Sequence, residues 1–223
     1  MTKELFIQAI VKFSLGMILV GLLIFLPAGT IRFWNGWLLM GILFVPMFFA
    51  GIVMMCKNPE LLKKRLQAKE EQKEQSTVVK MSGLMFLLGF AAAGLGVRFN
   101  WYLLPEEAVI AAAIVFLLAY IMYAEVLREN AFLSRTIEVQ ENQKVIDTGL
   151  YGIVRHPMYS ATLLLFLSMP LVLGSVYSFF IFLAYPRIIV KRIKGEEEFL
   201  EKELFGYAEY KQKVKYRLIP FIW

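Results

Sequence analysis

Apolar residues in this chain fall into long runs separated by short polar blocks. Residues 33–55, 81–97 and 108–124 carry no charged side chain, and residues 10–28 carry one, Lys12, near the start of the run. Each run is long enough, with interfacial flanks, to cross a hydrocarbon layer of ~30 Å as a helix. A lysine near a helix end can snorkel to the polar boundary. The first run reads as a span and not as a cleaved leader. Its apolar part is long, and no small-residue cleavage site precedes a polar mature chain.

Residues 158–185 are also free of charge, but Pro157 and Pro186 flank them and Pro170 and Gly174 interrupt them. A straight helix of that length, rising ~1.5 Å per residue, overshoots the hydrocarbon. The pattern therefore predicts a helical hairpin that turns between Pro170 and Ser175. The basic residues test this topology. With the N-terminus inside, every Lys and Arg except Arg32 and Arg98 falls on the inner side, as the positive-inside rule requires. A single crossing by residues 158–185 would instead place all the basic residues from Arg187 to Arg217 outside.

Between the second and third runs, residues 56–80 form a polar stretch expected to be helical. Asn58 is an N-cap candidate, Pro59 suits the first helical position, and Glu60 supplies an acid in the first turn. Lys63, Lys64 and Arg65 follow beside the membrane, where contact with anionic lipid is the expected role. The chain is thus read as all-α, a polytopic membrane protein of four transmembrane helices, a C-terminal helical hairpin and cytosolic helices. It is taken as one membrane domain over 1–223, with N-terminal spans in 1–126 and a binding region in 127–223.

Composition narrows the picture. Hydrophobic residues make up 59% of the 223, charged residues 19%, and mean hydropathy is +0.61. Soluble domains carry about 25% charged residues, so this is neither a disordered chain nor an ordinary soluble one. The net charge of +6 points, in so apolar a chain, to a membrane surface and not to nucleic acid. Cys56 and His156 are the sole residues of their kinds. An intrachain disulfide and a metal site built on several cysteines or histidines are therefore excluded.

Candidate chemistry lies in two polar blocks that the hairpin returns to one face. In the first, Gly149 and Gly152 make a turn before Arg155-His156-Pro157-Met158-Tyr159. Pro157 suits the first turn of the next helix and leaves His156 near its N-cap, where free N–H groups can hold an acceptor. In the second, Arg192 and Glu196 are four apart and share a helix face. An arginine there can hold a carboxylate while a glutamate takes ribose hydroxyls or an ammonium. Taken singly, these residues read as interfacial anchors and an exposed ion pair; their clustering carries the functional reading. Tyr207, Tyr210 and Val214 suit an amphipathic helix lying on the membrane, with Trp223 as an anchor; a lid over a pocket is the less favoured alternative from the pattern alone. Gly94-Leu95-Gly96 lies in an apolar helix and reads as a close helix contact, not a nucleotide loop. No Walker or Rossmann fingerprint is present.

Together the two blocks resemble the isoprenylcysteine carboxyl methyltransferase and phospholipid methyltransferase superfamily of integral membrane enzymes. The likeness runs from about Gln140 to Trp223. It rests on Gln143-Lys144-Val145-Ile146, on Gly149-x-Tyr151-x-x-Val154-Arg155-His156-Pro157-x-Tyr159, and on Arg192-x-x-x-Glu196-Glu197. The ending Tyr207-x-x-Tyr210-x-x-x-Val214-x-x-Arg217-Leu218-Ile219-Pro220 completes it. The resemblance implies S-adenosyl-L-methionine as methyl donor, S-adenosyl-L-homocysteine as product, and a site facing the cytosol. It implies cofactor contacts at Gln140, Gln143, Lys144, Val145, Ile146, Tyr151, His156, Pro157, Met158 and Tyr159. Aligned from Arg192, the cofactor-binding glutamate is Glu196; aligned from Phe205-Gly206, it is Glu197. Arg192 falls on the arginine that faces the substrate carboxylate and is the catalytic candidate. Gln143 departs from relatives that carry histidine there.

The implied partners are membrane lipids and a lipophilic acceptor, a prenylcysteine-like carboxylate or, in alternative, a phospholipid amine or a small thiol. Two readings of other classes stand beside these. One is a membrane reductase using NADPH, since sterol reductases resemble the same C-terminal region. The other is a membrane protein without enzymatic activity.

Overall fold

The computed structural model describes residues 3–66, 73–133 and 137–223. Residues 67–72 of the expected polar helix, and Arg135 among the basic residues used for orientation, lie outside these. Nine α-helices are described: α1 (Lys3–Ala28), α2 (Trp34–Lys57), α3 (Pro59–Leu66), α4 (Lys73–Arg98), α5 (Glu106–Glu129), α6 (Pro157–Val172), α7 (Val176–Phe182), α8 (Tyr185–Glu203) and α9 (Tyr207–Lys213). Among the described residues there is no strand, only an isolated bridge between Leu103 and Ser175. The protein is an all-α polytopic membrane protein. Among the described residues, four helices are long and apolar enough to cross a membrane: α1, α2, α4 from Ser76, and α5. Large apolar side chains face outward along them, with Leu15, Leu19, Leu22 and Leu26 of α1 and Phe48 and Phe49 of α2 exposed. Such a belt is stable against hydrocarbon and not against water.

Helix association within lipid depends on close packing, because lipid tails are as apolar as the side chains. Gly94 shows the consequence. A Cβ at this position would lie 2.5 Å from Ile24 O and 2.9 Å from Ala28 N of α1, so α1 and α4 cross where the sequence places small residues. Ala112, Ala113 and Ala119 of α5 are likewise buried, and Ala161 of α6 is fully so.

The apolar stretch after Pro157 doubles back, as its length and charge pattern require. The turn is not at Pro170, which continues α6 and whose carbonyl accepts from Ser175 N at 2.9 Å. A proline this close to a helix end forfeits little bonding. Gly174, at φ 71°, makes the reversal, and Ser175 caps α7 by accepting from Ser178 N at 3.2 Å. The return limb is shared: α7 has seven residues, and α8 completes it with Ile188 and Ile189 buried in the core. The polar part of α8 thereby meets the start of α6.

Candidate active site

Three segments converge at the polar end of the hairpin. The first is the turn ahead of α6. Gly149 adopts φ 50°, and a Cβ on it would fall 2.0 Å from Glu129 Oε1. Only glycine fits, and Glu129 uses the space. Its carboxylate accepts from Leu150 N at 3.2 Å and from Thr148 Oγ1 at 3.3 Å, pinning the turn to the end of α5. Asn130, the C-cap of α5, donates from Nδ2 to Tyr151 Oη at 2.9 Å. His156 is the N-cap of α6 and Pro157 its first residue, the arrangement that the sequence implies.

The second segment is α8. A helix advances ~100° per residue, so Glu196 and Glu197 point in different directions. Glu197 is turned inward and is 2% exposed. Its Oε1 accepts from Arg155 Nε at 2.7 Å and lies 3.2 Å from His156 Nε2, and its Oε2 accepts from Arg217 Nε at 2.8 Å. Burial pushes this carboxyl up. Hydrogen bonds from His156, Arg155 and Arg217 outweigh that and hold it well below the usual carboxylate range. Glu196 instead faces a cavity with Arg192 and Leu200, at the four-residue spacing of one helix face. Tyr159 Oη joins the first two, donating to Glu196 Oε2 at 2.5 Å and accepting from Arg192 Nε at 2.9 Å. The His156 ring stacks on Tyr159, and its Nδ1 is 3.9 Å from Glu196 Oε1.

The third segment is the C-terminal strap. Arg155 N and His156 N donate to the carbonyls of Tyr216 and Arg217, each at 2.9 Å. The Arg155 guanidinium donates to Val214 O at 2.6 Å and Lys215 O at 2.9 Å. The Arg217 guanidinium lies 5.1 Å from the centre of the Trp223 ring. Ahead of the strap, α9 does not spread on the membrane surface. Tyr207, Tyr210 and Val214 are buried against Leu204, Val145, Val139 and Leu200, and the two tyrosines close one wall of the cavity. The apolar face of α9 is consumed by the protein itself.

The cavity holds about 830 Å³ of open space, mouth included. Gln143, Lys144, Val145, Ile146, Tyr151, His156, Met158, Tyr159, Arg192 and Glu196, all named through the resemblance, line it. Gln140, Pro157 and Glu197 are not in its lining. Gln140 braces the segment from behind: its Nε2 donates to Phe132 O at 2.7 Å, and its amide donates to Gln143 Oε1 at 2.9 Å. Lys64 donates to Gln140 Oε1, and Arg65 bonds Tyr123 Oη and lies over its ring. Of the three basic residues expected at lipid, Lys63 alone is exposed.

Sequence reasoning missed Asn130, Phe132, Leu133, Ile137, Glu138, Leu200 and Leu204 as lining residues. It did not assign Arg155 to the cavity, and it ranked a lid formed by Tyr207 and Tyr210 below the membrane-surface reading. The Leu200 signal was available, one helical step beyond Arg192 and Glu196. Burial pushes Tyr151 up to about 12 and pushes Tyr207 and Tyr210 higher still, so all three phenols are protonated at neutral pH. The lining thus offers an acid, a guanidinium and an imidazole together with apolar and aromatic side chains. Such a lining suits an amphoteric ligand with a flat hydrophobic part.

Comparison with known proteins finds similarity in this part of the chain. Residues 107–207, which run from α5 to the start of α9, match the phospholipid methyltransferase family. Protein-S-isoprenylcysteine O-methyltransferase B of Arabidopsis thaliana is 32% identical over 116 residues, 47% of this chain and 58% of that protein. A Delta(14)-sterol reductase of Mus musculus is 31% identical over 91 residues, 40% of this chain and 22% of that protein. The chain therefore spans 22% and 58% of the lengths of these two relatives. Over these residues the chain is similar to phospholipid methyltransferases and to the plant isoprenylcysteine O-methyltransferase.

Proposed function

We propose that the cavity binds S-adenosyl-L-methionine and that the protein transfers its methyl group to a lipophilic acceptor carrying a carboxylate, as in a prenylcysteine. One observation carries the reading: Tyr159 Oη links Arg192 and Glu196 at the cavity wall, so an anion-binding group and a cation-binding group face one space. The lining fits the cofactor's chemistry. Glu196 would hold its ribose hydroxyls or ammonium, the residues Gln143, Lys144, Val145 and Ile146 its backbone-facing edge, and the aromatic wall its base. When bound, the cofactor supplies an electrophilic methyl group and leaves as S-adenosyl-L-homocysteine.

The protein's own task is then to orient and to exclude water, a contribution that can reach ~7–11 kcal/mol. Arg192 holds the acceptor carboxylate in line with the donor. A carboxylate is ionised at neutral pH and needs no general base. His156 is committed to Glu197 and flanked by Glu196, which suits holding a ligand better than moving a proton. Tyr207 and Tyr210, both buried in its lining, would help to exclude water from the cavity.

Incorporation of tritiated methyl groups from S-adenosyl-L-methionine into separated lipid, protein and small-molecule fractions tests the function and identifies the acceptor. Label in phospholipid or in a small thiol moves the assignment to those acceptors; label nowhere rejects the transferase. The mouse sterol reductase match favours one second reading, a reductase that binds NADPH in the same cavity. Saturable NADPH binding without S-adenosyl-L-homocysteine binding selects it.

A further inference from the structure

Four tyrosines line the cavity: Tyr151, Tyr159, Tyr207 and Tyr210. Three have hydroxyl partners within the protein. Tyr151 Oη accepts from Asn130, Tyr159 Oη pairs with Glu196 and Arg192, and Tyr210 Oη donates to Tyr151 O at 2.8 Å. Tyr207 Oη is different. Among the described residues it is the one buried side-chain polar atom without a hydrogen-bond partner, on a residue only 4% exposed. The large majority of buried polar atoms in native proteins are satisfied, and an orphan on a residue that lines a cavity calls for a partner from outside the protein.

We infer that the Tyr207 hydroxyl is a ligand contact and that it donates to a lone-pair acceptor on the nucleoside portion of the bound cofactor. The inference rests on the S-adenosyl-L-methionine reading of the cavity. The surroundings choose the nucleoside end. Tyr207 belongs to the apolar wall, packed with Leu204, Tyr210 and Val214 and backed by Val145 and Leu200. A charged ammonium or carboxylate would lose its hydration there without compensation, whereas a base and its sugar bring a flat apolar face and uncharged acceptors. Glu196, Arg192 and His156, joined through Tyr159 in the same lining, offer the charged partners. A protonated phenol is the donor that uncharged nitrogen or hydroxyl acceptors need.

The test compares wild type, Tyr207→Phe and Tyr210→Phe, full-length in detergent, by melting without ligand and by titration with two probes. S-adenosyl-L-homocysteine carries the nucleoside and the amino-acid tail; 5′-methylthioadenosine carries the nucleoside without the tail. Tyr207→Phe should melt at or above wild type, because it deletes an unsatisfied buried hydroxyl, and should bind both probes about tenfold more weakly. Tyr210→Phe should melt below wild type, because it strands Tyr151 O. Equal affinity of wild type and Tyr207→Phe for both probes overturns the inference while leaving the cofactor reading intact. Weakening confined to S-adenosyl-L-homocysteine overturns the nucleoside assignment. A lowered melting point for Tyr207→Phe makes the hydroxyl structural and overturns it as well. Wild type that binds neither probe removes the cofactor reading itself.

Discussion

Glu196 and Glu197 are neighbours in sequence and face opposite duties on α8. Glu196 shares Tyr159 Oη with Arg192 at the cavity wall, and Glu197 sits beneath it, bonded to Arg155, His156 and Arg217. Their variants should therefore separate. Glu196→Gln should keep its melting temperature within a few degrees and weaken S-adenosyl-L-homocysteine binding by roughly 10–100-fold through loss of a charged acceptor. Glu197→Gln leaves two buried or half-buried guanidinium groups without their counter-charge, which costs about 3–5 kcal/mol and lowers the melting temperature. Paired melting and titration curves check this, and a reversal of the two phenotypes refutes the division.

The same carboxylate sets an acid limit. Its folded-state pKa is depressed below the ordinary 4.5, so its contribution to stability is present above that value and is lost as pH falls toward the folded value. The melting-temperature gap between wild type and Glu197→Gln should be constant from neutral pH down to about 5 and narrow below about 4.5. A gap that is unchanged on acidification contradicts the linkage.

Gly149→Ala puts a Cβ into the space that the Glu129 carboxylate occupies and onto a left-handed backbone. The backbone alone costs roughly 1–2 kcal/mol. Expelling Glu129 from Leu150 N and Thr148 Oγ1 adds to it, so a loss on the order of 2–4 kcal/mol is expected. Gly152→Ala is the milder comparison, meeting Asp147 O at 3.1 Å with no left-handed backbone. Thermal melts should rank Gly149→Ala well below Gly152→Ala.

Under the proposed function, Arg192→Ala should lower acceptor turnover by roughly 100-fold in kcat/KM while changing S-adenosyl-L-homocysteine affinity far less, because it removes the group proposed to face the acceptor carboxylate. Steady-state kinetics on the acceptor found in the labelling experiment checks this. An unchanged kcat and KM would remove Arg192 from substrate binding.

Much of this architecture was legible in the chain. Hydropathy marks the four long helices, although α4 begins before the charge-free run because Lys80 can sit at the polar boundary. The basic residues after Arg187 demanded a hairpin, and the two halves of the site do meet. Pro157 and His156 announced the start of α6, and Gly94 the crossing with α1. What escaped was pairing between segments. A helical period tells which residues share a face and not which neighbour that face meets. So Lys64 and Arg65 read as lipid contacts when they hold Gln140 and Tyr123, and α9 read as a surface helix when it closes the cavity. Glu129 and Asn130 end a membrane helix and carry no motif of their own. Their partners, Leu150 and Tyr151, are visible only once α5 is placed beside the turn.

Titration of purified full-length protein in detergent with S-adenosyl-L-homocysteine is the most direct measurement of what the cavity holds. The account predicts saturable micromolar binding at one site per chain, lost or strongly weakened in Glu196→Gln. Absence of binding by a protein that melts cooperatively, or equal binding by Glu196→Gln, would contradict it.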